Sequence, residues 1–344
     1  MKPELFGTMP DGEPVYRVRL QSAALRVHVL TFGAVIQSIE APDRQGARAN
    51  VVLGLSALAD YVAHSPHFGA VPGRYAGRIA KGRFELDGVA YQLACNNGPN
   101  AIHGGPHGFG KRAWTLEDFG PQHVVLHLSS ADGDAGYPGR VETEVRYTLE
   151  DTVLRIDFAA STSRATVLNL TNHSYFNLAG EGSGDVLGHR LTIDADAYAP
   201  IDADLIPTGA IGPVAGTPFD FRTERAIGAR IAEPDPQLRF AGGYDHGYVL
   251  PGEGLRRAAM LCDPGSGRTL GVFTTQTSLQ LYTGNTLTGL LTGPSGRVYR
   301  KHNGVCLEAQ HLPDSPNKPG FPSTILRPGQ AFSATTLFRF GVLE

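Results

Sequence analysis

Along much of the chain, apolar and polar residues alternate with a period of two. Tyr16, Val18 and Leu20 alternate with Arg17 and Arg19. Val141, Val145, Tyr147 and Leu149 alternate with Glu142, Glu144, Arg146 and Thr148, and Leu154-Arg155-Ile156-Asp157-Phe158 repeats the pattern. Successive side chains of a strand point to opposite faces, so each stretch predicts a half-buried antiparallel strand. Turn signals fall between them at Asp11-Gly12, Asp87-Gly88, Asp132-Gly133 and Pro251-Gly252. Helical periodicity is scarce. The best candidate is 56–61, with Ser56 as its N-cap. No repeat of 20–50 residues, low-complexity block or composition shift divides the chain. The pattern therefore predicts one all-β domain over residues 1–344, sandwich-like, with a barrel or propeller left open.

Composition sharpens this picture. Glycine (43 residues) and proline (24) are spread along all 344 positions, as many short strands joined by turns require. Apolar residues at 41% and charged residues at 18% allow a sizeable core. The formal charge is −3, with no run of like charges, so a nucleic-acid partner is not expected and a small neutral ligand fits better. Cys95, Cys262 and Cys306 are far apart and form no Cys-x-x-Cys pair, which reads as isolated reduced thiols. Met1-Lys2-Pro3-Glu4-Leu5-Phe6-Gly7 turns polar at once, unlike a signal peptide. No stretch approaches the roughly 20 apolar residues of a membrane span. The cytoplasm is the expected compartment, with no membrane partner.

Several apparent motifs fail on their context. Gly105-Pro106-His107-Gly108-Phe109-Gly110-Lys111 has the outline of a phosphate-binding loop, but Arg112 stands where a Ser or Thr should hold magnesium. His103 and His107 have a helical metal-pair spacing within a segment too rich in Gly and Pro for a helix. Asp132-Gly133-Asp134 suggests a calcium loop, yet Thr143 occupies the position that needs Glu. There is no Gly-x-Ser-x-Gly elbow. No cofactor and no metal are expected.

Four segments place polar residues inside strand-like sequence, where an inward-facing polar group needs a reason. If Val167-Leu168-Asn169-Leu170-Thr171-Asn172-His173-Ser174-Tyr175-Phe176 is a strand, Asn169, Thr171, His173 and Tyr175 share one face. That face lines a sugar-sized cleft or meets solvent. In Val305-Cys306-Leu307-Glu308-Ala309-Gln310-His311, Glu308 and Gln310 share a face backed by Val305, Leu307 and Ala309. Such a Glu is either exposed or a carboxylate with a raised pKa, suited to moving protons near neutrality. Gln280 and Tyr282 sit together in Ser278-Leu279-Gln280-Leu281-Tyr282-Thr283-Gly284-Asn285, and Asp245 lies between aromatics in the loop-like Gly242-Gly243-Tyr244-Asp245-His246-Gly247-Tyr248. Aromatic faces, amides and carboxylates together suit carbohydrate.

These segments resemble the signatures of the aldose 1-epimerases, or galactose mutarotases, nearly end to end. The resemblance runs from Phe32-Gly33-Ala34 through Gly73-Arg74-Tyr75-Ala76-Gly77-Arg78-Ile79-Ala80-Lys81-Gly82 and Asn100-Ala101-Ile102-His103-Gly104-Gly105 to Tyr137-Pro138-Gly139. It continues through Thr171-Asn172-His173-Ser174-Tyr175-Phe176-Asn177-Leu178, Tyr244-Asp245-His246 and Gln280-Leu281-Tyr282. It closes at Leu307-Glu308-Ala309-Gln310 and Pro313-Asp314-Ser315-Pro316-Asn317. It implies a large antiparallel β-sandwich (the supersandwich of galactose mutarotase-like folds) and a cofactor-free isomerase that exchanges the α and β anomers of free galactose or glucose.

By the same resemblance, Glu308 is the general base at the C1 hydroxyl and His173 the general acid at the ring oxygen. His103 is a second histidine near C1, and Arg78, Asp245 and Gln280 hold the other hydroxyls. The scheme expects His173 protonated and Glu308 ionised at the start. The family usually has Asn before the arginine, where this chain has Gly77, which leaves sugar preference open. Rival readings are a paralogue acting on a pentose or a sugar 6-phosphate, a glycoside hydrolase using Asp245 and Glu308, and a non-catalytic sugar binder. The expected partner is a small sugar, with no nucleic acid, and the protein is a monomer or homodimer.

Overall fold

The computed structural model describes residues 2–343. Three antiparallel sheets carry most of its strands. A five-stranded sheet takes the N-terminal segments from Glu4–Thr8 to Arg48–Asn50. A nine-stranded sheet is centred on Val141–Glu150, Val153–Thr162 and the C-terminal Phe332–Val342. A six-stranded sheet includes Asp245–Val249, Ser278–Tyr282 and Val305–Gln310. The expected all-β sandwich is what forms.

The alternation seen in the sequence sets which face each strand buries. In Val141–Glu150, the residues from Val141 to Leu149 at odd positions are buried and those between them half-buried. Its partner Val153–Thr162 follows through a two-residue turn, with Glu150 opposite Val153 and Asp151 at φ +49°. One core cluster joins the sheets, with Val27, Val29 and Ile39 from the first, Val145 and Ile156 from the second, and Leu281 and Leu307 from the third. At about 25 cal/mol per Å2 of apolar surface removed from water, this shared core is the main stabilising term. Tyr16 departs from the expectation. It is exposed, while Val15 beside it enters a second cluster.

The helices differ from the sequence reading. The first is Leu58–His64, capped at Ala57 without a side-chain bond, so Ser56 is not its cap. Burial of Leu58 and Tyr61 holds it instead, with the Tyr61 hydroxyl accepting from the Leu55 N–H at 2.9 Å. A second helix, Pro236–Ala241, was not anticipated. Asp235 caps it through the Gln237 N–H at 2.7 Å, Pro236 opens it and Gly242 closes it in the left-handed region. No helix among the described residues is long and apolar enough to cross a membrane.

Candidate active site

The floor of the site is made by three neighbouring strands of the six-stranded sheet, Asp245–Val249, Ser278–Tyr282 and Val305–Gln310. Leu279, Leu281, Val305, Leu307 and Ala309 point into the core. The alternate positions Gln280, Tyr282, Cys306, Glu308 and Gln310 therefore share the other face. The register sets Gln280 opposite Glu308, Tyr282 opposite Cys306, and Asp245 opposite Tyr282. Same-face cross-strand neighbours lie about 5 Å apart, so this pairing alone gathers the polar groups. The polar face is covered too. Glu308 is only 3% and Gln280 7% exposed. A cavity of about 200 Å3 lies between this face and the segments carrying His67, Arg78, Asn97, His103 and Pro313.

Asp245 is held from two sides. Arg78 Nη1 donates to Oδ2 at 3.2 Å and Gln280 Nε2 to Oδ1 at 2.7 Å. The Arg78–Asp245 pair has 12% exposure on each side chain, so it is screened far less than a surface pair. Arg78 is fixed in turn by Asn97 Oδ1, which accepts from its Nε at 3.0 Å. The 313–317 block anchors the backbone of the Arg78 segment. The Asp314 N–H donates to the Arg78 carbonyl at 2.8 Å, and Asp314 Oδ1 accepts from the Ala80 N–H at 3.0 Å.

Two histidines meet the carboxylate face. His173 Nε2 lies 3.6 Å from Glu308 Oε1, and its Nδ1 lies 3.5 Å from Cys306 Sγ. The ring stacks on Tyr175 at 5.0 Å between centroids. The backbone of residue 173 is pinned by N–H donation to the Ala70 carbonyl and by acceptance from the Gly69 N–H, each at 2.9 Å. His103 Nδ1 accepts from the Gly77 N–H at 3.2 Å, which leaves Nε2 as the protonated nitrogen of the neutral ring.

Burial governs the charge state. It pushes the Glu308 carboxyl well above the usual carboxylate range, reinforced by Asp245 and opposed by Arg78. It pushes His173 down to about 4, and His103 well below the ordinary histidine range. Both shifts favour the neutral form, a direction opposite to the charges expected at the start, because low dielectric disfavours separate charges. Transfer of a proton from carboxyl to imidazole yields a carboxylate base and an imidazolium acid with no change in total charge. His173, Cys306 and Glu308 also offer donor atoms within 4.8 Å of one another. Burial pushes the Cys306 thiol and the Glu308 carboxyl up, so a metal there would have to displace both protons.

All six residues singled out from the sequence, Glu308, His173, His103, Arg78, Asp245 and Gln280, line this one cavity. The route differs for His173. Residues 168–174 do not form a strand, because their backbone groups go to separate segments: Leu168 to Thr324, Asn169 to Arg74, His173 to Ala70. Asn169 does not face the cleft. It bridges the Ala76 and His311 carbonyls and accepts from the His311 N–H. Asp245 belongs to a strand, not a loop. His246 points away, packed on Phe219 at 4.4 Å.

Arg74 is structural, its guanidinium buried and bonded to the carbonyls of Ser130, Ala131, Pro138 and Gly139. The phosphate-loop lookalike is spent on structure too, with Lys111 Nζ donating to the Ser65 carbonyl at 2.8 Å. Asn97 and His67 were not identified from the sequence, and no local pattern marks either. At Gly77, φ is +81° and an added Cβ would stand 2.9 Å from the Pro313 ring.

The family model described as Aldose 1-epimerase matches residues 16–339. The chain is 46% identical over 340 residues to galactose mutarotase of Sus scrofa, covering 98% of each. It is 38% identical over 337 residues to aldose 1-epimerase of Escherichia coli K12, covering 96% of each. Its fold is similar to that of galactose 1-epimerase from Lactobacillus acidophilus, with a TM-score of 0.87 at 28% identity, covering 100% of this chain and 99% of that one.

Proposed function

The chain belongs to the aldose 1-epimerase family and interconverts the anomers of an aldose, and from that premise we propose that Glu308 and His173 are the acid–base pair of the reaction. The observation that carries this reading is the enclosed pair itself, with imidazole and carboxyl 3.6 Å apart in one cavity. As the carboxylate, Glu308 takes the proton of the C1 hydroxyl while imidazolium His173 gives one to the ring oxygen. The C1–ring-oxygen bond breaks, and C1 becomes the aldehyde of the open chain. Rotation about C1–C2 presents the other carbonyl face, and closure with reversed proton roles gives the other anomer. General acid and base catalysis each contribute roughly 10²–10⁴-fold.

His103 donates from Nε2 to a sugar oxygen near C1. Arg78, Asp245 and Gln280 receive the remaining hydroxyls. Arg78 is the single Lys or Arg lining the cavity among the described residues, and Asp245 already pairs with it. A neutral sugar therefore suits the site better than a sugar phosphate, and free galactose and glucose are the proposed substrates. The test is the optical rotation of freshly dissolved α-D-galactose and α-D-glucose. Wild type should hasten the approach to equilibrium and Glu308→Gln should not. No acceleration by wild type over buffer would defeat the free-hexose reading.

A further inference from the structure

His67 lines the same cavity and takes no part in the scheme above. Its ring centroid lies 4.6 Å from that of His103 and 6.1 Å from that of His173. Its backbone sits at φ +68°, a left-handed conformation uncommon outside glycine. The turn is held in place by the His173 segment. The Ala70 N–H donates to the His67 carbonyl, the Gly69 N–H to the His173 carbonyl, and the His173 N–H to the Ala70 carbonyl. The backbone of His67 is thereby tied to that of His173.

The two ring nitrogens have different surroundings. Nδ1 is enclosed and has no hydrogen-bond partner, lying against Gly110, where an added Cβ would stand 3.1 Å from it. With Nδ1 enclosed, Nε2 is the ring nitrogen available to the cavity that His67 lines. Burial, with Lys111 and His173 adding to it, holds the ring well below the ordinary histidine range, so it carries one proton. An enclosed N–H without an acceptor is rarer than an enclosed lone pair without a donor. The proton therefore belongs on Nε2, where an oxygen in the cavity can accept it.

We propose that His67 is a specificity-determining residue whose Nε2–H donates to one hydroxyl oxygen of the bound sugar, on the His103 side of the cavity. The site then holds three histidines, one moving a proton and two recognising oxygens. This inference rests on the sugar assignment of the cavity.

The test compares wild type, His67→Phe and His67→Gln by polarimetry, on galactose and on its 2-, 3-, 4- and 6-deoxy analogues. Phe keeps an aromatic ring against His103 but removes the N–H, and Gln restores a donor. One net hydrogen bond predicts a KM for galactose raised roughly 3- to 10-fold in His67→Phe, with kcat within about twofold and most of the loss recovered in His67→Gln. For the one analogue lacking the contacted hydroxyl, His67→Phe and wild type should share the same KM. Wild-type KM in His67→Phe on every sugar would overturn the proposal. So would KM raised alike on all of them, or kcat lowered with KM unchanged. Inactive wild type would instead defeat the epimerase reading, so the two failures are distinguishable.

Discussion

His173 Nε2 stands 3.6 Å from Glu308 Oε1, at the meeting of an irregular segment and the Val305–Gln310 strand. Both side chains are almost fully enclosed, at 6% and 4% exposure. Neither forms the pair alone, and each shifts toward its neutral form for the same reason, loss of water around a charge. The pair is therefore a one-proton unit whose halves must fail together.

Glu308→Gln and His173→Gln should each lower kcat by about 10²–10⁴-fold. The double variant should be no slower than the worse single one, because one proton relay is lost in each case. Polarimetry of the three variants at saturating sugar checks this. Losses that multiply would mean two independent contributions.

The pH dependence follows from the directions of the shifts. Only the singly protonated pair has both a base and an acid. As pH falls through about 4, His173 takes a proton while Glu308 still holds its own, no base remains and the rate drops. As pH rises through the raised Glu308 value, above the usual carboxylate range, the pair keeps a base but no acid, and the rate drops again. These limbs belong to the pair, not to either residue. Rates corrected for buffer catalysis should trace a bell, and a rate level from pH 4 to 9 would count against this pair.

Asp245→Asn removes the charge that Arg78 meets at 3.2 Å in a 12%-exposed setting. Hydrogen bonds to a charged group contribute about 1.5–3 kcal/mol, so KM should rise roughly 10-fold or more. The change in kcat should be smaller, because the role proposed for Asp245 is to hold hydroxyls other than that at C1. Initial rates over a range of galactose concentrations separate the two. An unchanged KM would remove Asp245 from the binding role.

Arg74→Met tests the separation of structure from chemistry. It strips donors from four carbonyls, those of Ser130, Ala131, Pro138 and Gly139. Stability should fall by at least about 3 kcal/mol, read from the urea midpoint. A loss below about 1 kcal/mol would show that water satisfies those carbonyls.

The fold class was legible in the sequence because strand alternation is local. Val141 to Leu149 and Leu154 to Phe158 carry their burial pattern in their own residue types, and the structure repeats it. The short helix Pro236–Ala241 was not recognised, although Asp235, Pro236 and Gly242 mark its ends, because six residues are too few for a periodic signal. The segment 168–174 alternates like a strand without forming one, so the conditional strand reading of 167–176 does not hold there. Its hydrogen bonds, which go to several distant partners, leave no trace in local sequence.

For the site, sequence determined which residue types were available: Glu308 behind an apolar row, His173 among amides, Asp245 beside aromatics. Pattern alone left Glu308 between solvent and a cleft, and the family resemblance supplied its role. What the tertiary structure decided is that both faces of the Val305–Gln310 strand are covered, which pushes the Glu308 carboxyl well above the usual carboxylate range. It also decided that Asn97 and His67, from loops with no motif, join the cavity. The physical reason is range: side-chain alternation acts over neighbouring residues, whereas register joins separate strands, as Gln280 opposite Glu308, and desolvation brings together segments as distant as those of His173 and Glu308.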